Sequence, residues 1–361
     1  MYPTQILQIL PRLPPAICGV GDHATGVGTE LSRSHCCDVK YLGVNPTDHN
    51  QRLNPYELPE RSAAAMLGAL RSSELIDNAV VVLHFSGYSY GKRGLCPWLL
   101  TSLSRYREER PDIKLITMFH ELWSPAPLFS KSGWVVPLQK QVVRRLVGLS
   151  DVVRTNREEY RDQIEKLCPQ FRGRVRVKNI CSNFGEPEAV RPFDERKRQI
   201  LIFQPPSLAT VGGNFFWDQW HEIQMQLGGV PTIIAGRAKE IPVDPLIQQI
   251  GFVSAEEGAR LIDESQFAFF DYFQGYIGKS SLFGSLAAYG IVPIMPRLNA
   301  SNDEGLLHGT HYLIPGDATL GDRIELELVS RRLCEWYAGH SISATATDYM
   351  QSVFQCVRKS A

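Results

Sequence analysis

Neither sign of charge is in excess in this 361-residue chain: 38 Lys and Arg stand against 38 Asp and Glu. Proteins whose main partner is nucleic acid usually carry a basic surplus, so the balance points away from that class. No apolar run approaches the ~20 residues that a membrane-spanning helix needs. The stretch Met1 to Gly19 has no basic leader and contains four prolines, which reads against a secretory signal. Eight cysteines are scattered without Cys-x-x-Cys spacing, so neither a zinc site nor a disulfide framework is expected. Free thiols in a reducing cytoplasm fit that pattern. Internal repeats, low-complexity tracts and an Asp-x-Asp motif are missing too. The expectation is a cytoplasmic protein, at most peripheral to the inner face of a membrane.

What is present is an alternation of apolar runs and amphipathic stretches. The most informative stretch runs from Phe267 to Pro293. Phe267-Ala268-Phe269-Phe270 suits a strand buried on both faces. A loop with Gly275 and Gly278 follows, then Lys279-Ser280-Ser281, then a helix-like run that ends at Gly290. The next strand is Ile291 to Ile294. A helix start carries unpaired N–H groups and partial positive charge. With two hydroxyls and an ammonium beside it, that start can seat a phosphate or diphosphate. The alternative is that Ser280 and Ser281 only cap the helix. A P-loop would need glycine where Phe273 stands, so Gly278-Lys279-Ser280 fails that spacing.

The same alternation begins at the N-terminus. Gln5 to Leu10 is a strand, and the loop after it carries Gly19, Gly21, Asp22 and His23. Ala24 to Cys37 reads as a helix weakened by Gly26 and Gly28. Ala79 to Phe85 is a buried strand that delivers Tyr88, Lys92 and Arg93. Lys114 to Phe119 is the next strand and delivers His120 and Glu121. Val135 to Leu149 is an amphipathic helix with Lys140, Arg144 and Arg145 on its polar side, able to touch an anionic surface. In doubly wound α/β sheets, ligands bind beyond the C-terminal ends of the strands. Three polar exits on one such edge mark a site.

Residues 186–198 form a polar linker between an N-terminal unit, 1–185, and a C-terminal unit, 199–361. The final helical region, Leu320 to Val357, is expected to lie in the C-terminal unit, with its last helix able to pack back on the first. The loop with Asn299, Ser301 and Asp303 precedes it. Gly19-x-Gly21 also resembles a dinucleotide fingerprint. No acidic residue ends the second strand to hold a ribose, because Lys40 to Asn45 ends in Asn.

In order along the chain, these features resemble the GT-B glycosyltransferases, most closely the retaining family 4. Cys18-Gly19-Val20-Gly21-Asp22 is similar to the family's first loop, and Phe119-His120-Glu121 to its His-Asp strand end. Gly251-Phe252-Val253-Ser254-Ala255-Glu256-Glu257 and Leu286 to Ile294 are similar to its two donor-domain motifs. The resemblance implies two Rossmann-like doubly wound α/β domains facing across a cleft. It also implies sugar transfer from a nucleotide sugar to a glycan or glycolipid acceptor, with no metal and no cofactor beyond that co-substrate. His120 would be catalytic. Gly21, Arg237, Gly278, Lys279, Ser280 and Ser281 would bind the donor. Gly19, Asp22, His23, Tyr88, Lys92, Arg93 and Glu121 would lie on the acceptor side.

The chain departs from the family at two places. Ile277 and Ser285 stand where the family carries two glutamates, and the loop Gln204 to Gly213 has no basic residue. Two further readings follow: a binding protein that kept the fold without turnover, and a nicotinamide-dependent oxidoreductase.

Overall fold

The computed structural model describes residues 3–16, 18–45, 57–124, 133–272, 274–297 and 305–358. The expected loop at Asn299, Ser301 and Asp303 lies outside them, as does Phe273. The chain divides into two compact units. One comprises Met1–Asn179 together with Ile342–Ala361, and the other Ile180–Ser341.

The first unit is built on strands β1 (Gln5–Leu10), β2 (Asp38–Gly43), β3 (Val80–Ser86), β4 (Lys114–Glu121), β5 (Val152–Thr155) and β6 (Arg176–Val177). They form one parallel sheet in the order β2-β1-β3-β4-β5-β6. Helices α1 (Gly19–His35), α2 (Ala63–Ser72), α3 (Gly87–Tyr90), α4 (Pro97–Glu109), α5 (Val136–Leu149) and α6 (Glu158–Leu167) connect them. β1 and β3 are buried at every position, as strands covered on both faces must be, and each carries polar residues inward: Gln5 and Gln8 in β1, His84 and Ser86 in β3. β4 continues two residues past the expected end, so His120 and Glu121 are strand residues rather than loop residues.

The second unit holds β7 (Lys197–Phe203), α7 (Val211–Leu227), β8 (Thr232–Ala235), β9 (Ile247–Gly251), α8 (Ala255–Glu264), β10 (Ser265–Phe269), α9 (Ser281–Tyr289), β11 (Val292–Ile294) and α10 (Arg323–Ala338). Its parallel sheet runs β11-β10-β7-β8-β9. Apolar side chains fill both of its faces, with Phe216 stacked on Phe269 at 4.1 Å. Ser254 caps α8 through the Glu257 amide, and Gly290 ends α9 at φ +67°.

The last helix, α11 (Ile342–Arg358), belongs to the first unit and packs on α1. Ala346, Tyr349, Met350, Val353 and Cys356 are buried along it at helical spacing.

In each sheet the strand order reverses once: between β1 and β3 in the first unit, and between β7 and β10 in the second. Such reversal points open a crevice at the strands' C-terminal ends, where α/β proteins bind ligands. The loop from β10 into α9 leaves the second unit's reversal point.

Candidate functional site

In the first unit the site begins where α1 meets the exit of β1. The helix starts earlier than the sequence indicates, so Gly19, Gly21 and Asp22 form its first turn and not a loop. Cys18 is the cap, its Sγ accepting from the Gly21 amide at 3.4 Å. A Cβ on Gly21 would lie 2.2 Å from the Arg12 carbonyl oxygen, so only glycine lets the helix start close on the strand exit. That packing accounts for one of the glycines assigned to ligand approach. Asp22 is half-buried, and burial holds its carboxyl above the usual range.

One turn into α1, His23 meets two histidines from the sheet. His84 of β3 and His120 of β4 place Nδ1 and Nε2 3.1 Å apart. All three side chains are buried. The Gln8 amide oxygen of β1 lies 2.7 Å from His84 Nε2. An amide oxygen can only accept, so His84 carries its proton on Nε2 and presents the Nδ1 lone pair to His120. Gly28 of α1 leaves room for Gln8, since a Cβ there would sit 2.4 Å from the amide nitrogen. Burial, then the charge of Arg154, lowers His23 to about 4. His84 is driven down by burial, by His23 and by Arg154. Both are neutral at physiological pH.

Arg154 of β5 is itself buried. It pairs with the Asp348 carboxylate, donates to Ser352 Oγ at 2.6 Å and to the Asp348 carbonyl at 3.2 Å, and lies 4.0 Å above the Tyr349 ring. Tyr349 stacks on His84 at 6.3 Å. The structure therefore brings His23 and His120 together, with His84, Gln8 and Arg154 as members that the sequence reading did not single out.

Glu121 accepts from Ser86 Oγ at 2.9 Å, bridging adjacent strand ends. Tyr88 is exposed, and its hydroxyl accepts from Gln139 Nε2 at 3.3 Å. Lys92 and Arg93 project from a short exposed turn, with Arg93 at φ +58°. A pocket of about 270 Å³ joins Tyr88 to Cys18, Arg12, Asn45 and Arg61. Neither arginine was foreseen, because each is isolated in the sequence. On α5, Lys140, Arg144 and Arg145 are exposed, with Lys140 5.1 Å from the Trp123 ring.

The second unit places the other predicted residues. Gly278 and Lys279 end a short 3₁₀ turn, and the Gly278 carbonyl accepts from the Ile180 amide at 3.0 Å. Ser280 Oγ caps α9 by accepting from the Phe283 amide at 3.1 Å, and Ser281 is the first helical residue. Lys279 Nζ lies 5.7 Å from the Tyr276 ring. Arg237 is exposed beyond β8, its guanidinium 5.5 Å from the Phe252 ring. Ile277 is buried. Ser285 Oγ sits in a network with Ser182 Oγ at 2.8 Å and Asn183 Oδ1 at 3.1 Å. A glutamate at 285 would bring charge into that closed network, so this position serves packing in this chain.

No family model and no curated protein matches the chain by sequence. Solved structures match it along its whole length. An α-glucosyltransferase in complex with UDP and a 13-mer DNA containing a HMU base gives a TM-score of 0.59 at 11% identity, covering 98% of this chain and 99% of that one. The α,α-trehalose 6-phosphate synthase of Burkholderia multivorans gives 0.56 at 10% identity, covering all of both chains. A UDP-N-acetylglucosamine 2-epimerase from Listeria monocytogenes gives 0.55 at 9% identity, covering 100% and 98%. With two parallel-sheet α/β units matched end to end, the chain has the GT-B fold.

Zero net charge does not count against a nucleic-acid partner, because the charge is divided unevenly between the two units. The first unit holds 26 Lys and Arg against 18 Asp and Glu, a net of +8, and the second 12 against 20, a net of −8. The balance of the whole chain conceals a basic unit. Among the described residues, no helix is long and apolar enough to cross a membrane.

Proposed function

We propose that the protein is a glycosyltransferase that takes a sugar from a nucleotide-sugar donor. The observation that carries this reading is the full-length GT-B correspondence, in which structural neighbours named for UDP complexes or UDP-sugar chemistry share both units. The diphosphate would sit at the start of α9, where the Ser280–Ser281 helix end and Lys279 offer N–H donors, hydroxyls and an ammonium. That start leaves the reversal point of its sheet, where such folds bind ligands.

The acceptor side is assigned to the first unit. His120 would orient the sugar or acceptor by hydrogen bonding. Gly19, Asp22, His23, Tyr88, Lys92, Arg93 and Glu121 frame the edge from which it works. Retention, with the leaving phosphate taking the acceptor proton, removes the need for a strong protein base. The absence of both expected glutamates means that ribose and sugar are held by other groups. A glycan or glycolipid is the first candidate acceptor. The surplus of +8 on the first unit favours a second reading in which the acceptor is a polyanion such as a nucleic acid.

The test is thermal shift against UDP-, GDP-, ADP- and TDP-sugars and NAD(H), for wild type and Lys279→Ala. Binding to the folded state raises the midpoint by mass action. Stabilisation by one nucleotide sugar, weakened in the variant, supports the reading and selects the donor for turnover assays. Stabilisation by NAD(H) alone overturns it. A donor returned as an epimer, with no transfer to any acceptor, would place the reaction with the epimerase instead.

A further inference from the structure

The geometry points to a metal site in the first unit: His23, His84 and His120 together form a three-imidazole seat for a divalent late first-row ion of the zinc class. This inference does not rest on the transferase reading, and it departs from the metal-free expectation drawn from the sequence.

The first argument is distance. Zinc binds imidazole nitrogen at about 2.0–2.1 Å, and tetrahedral angles then set neighbouring donor nitrogens about 3.3–3.4 Å apart. His84 Nδ1 and His120 Nε2 already stand 3.1 Å apart. One nitrogen from each of the three rings falls within a span of 4.8 Å. An imidazole centre lies roughly 3.2 Å from a bound zinc, so three such rings should have centres about 5.2 Å apart. The measured separations are 5.3 Å for His23–His120, 5.4 Å for His84–His120 and 5.8 Å for His23–His84. The triangle therefore has nearly the dimensions of a zinc site. The donor nitrogens span up to 4.8 Å, so the set must draw in by about 1.4 Å to reach tetrahedral spacing.

The second argument is protonation. A ligating imidazole must present a lone pair, and its other nitrogen usually donates to a fixed acceptor. Gln8 Oε1 supplies that acceptor for His84 at 2.7 Å, leaving Nδ1 without hydrogen on the side of the cluster. In the metal-free protein that Nδ1 accepts from His120 Nε2–H, so metal binding would move the His120 proton to its other nitrogen. The charge of Arg154, which acts on His23 and His84, is paired with the Asp348 carboxylate.

The third argument is ligand type. Three nitrogens with no carboxylate or thiolate among them suit zinc, cobalt, nickel or copper and are poor for magnesium or calcium. Three protein ligands also leave a fourth position open, as in sites that hold a water.

The full chain would be stripped with chelator, checked for folding by circular dichroism and titrated with Zn²⁺ by calorimetry. In parallel, Co²⁺ would be followed by its visible absorption. One equivalent with a tetrahedral cobalt spectrum is expected. His23→Gln and His120→Gln should each weaken binding at least ~100-fold, and Gln8→Leu should weaken it about 10- to 100-fold through the loss of the outer contact. Folded, stripped protein that takes up no stoichiometric metal overturns the inference. So does uptake that is undiminished in folded His23→Gln and His120→Gln, since the ion would then sit elsewhere. Should one variant fail to fold, the other and Gln8→Leu still decide between these outcomes.

Discussion

Asp348→Ala should destabilise the first unit far more than an exposed charge would. Arg154 is 1% exposed, and its charge is matched by the carboxylate of Asp348 from α11, 194 residues along the chain. Stranding one member of a buried pair costs about 3–5 kcal/mol. Two contacts soften the loss: Ser352 Oγ at 2.6 Å and the backbone carbonyl of residue 348 at 3.2 Å both survive. Asp348 itself is 23% exposed, which lets water approach the vacated place. A cost of about 2–4 kcal/mol is therefore expected. Arg154→Met removes the charge and keeps apolar volume against Tyr349, so the double variant should recover much of that loss. Because two units can unfold separately, hydrogen exchange in peptides from β5 and α11 is the suitable readout. A loss below ~0.5 kcal/mol would refute the reasoning, as would a double variant no more stable than Asp348→Ala.

Protonation gives a second expectation, for the chelator-stripped protein. His23 titrates at about 4 when folded against an ordinary 6.5, so as pH falls the unfolded chain takes up the proton first. The stability due to neutral His23 is complete above pH 6.5 and declines toward pH 4, by about 3 kcal/mol in total at ~1.4 kcal/mol per pH unit. Urea midpoints that stay constant from pH 7.5 to 4.5 would contradict this. The glycines of α1 give a third. Gly21→Ala puts its Cβ 2.2 Å from the Arg12 carbonyl and should cost about 1–3 kcal/mol, while Gly26→Ala meets nothing within 4 Å and should stabilise by about 0.5–1 kcal/mol. Similar melting temperatures for the two variants would show that Gly21 is not confined by the strand exit.

The fold was legible because both sheets are written in runs such as Ala79 to Phe85 and Phe267 to Phe270, which only a doubly covered strand tolerates. Capping at Ser254 and Ser280 and the turn at Gly290 were legible for the same local reason. The start of α1 was not. Gly-Val-Gly reads as loop, yet Gly21 is there because the Arg12 carbonyl leaves no room for a side chain. His84 was hidden inside an apolar strand, and its meaning depends on Gln8, 76 residues earlier, and His120, 36 later. Gln8 and His84 were polar residues within buried strands, which is the signal that was available. Arg154 needed a partner from the final helix, and nothing local announces that. The charge division was hidden by its own cancellation.

The central claim is that a nucleoside diphosphate binds at the start of α9. Calorimetric titration of UDP into wild type and Lys279→Ala tests it most directly, repeated with whichever nucleotide the donor screen selects. Loss of a charged hydrogen-bond donor is worth about 1.5–3 kcal/mol, so the account predicts binding weakened roughly 10- to 150-fold. Equal affinity in the two proteins would contradict it and move the diphosphate away from Gly278–Ser281.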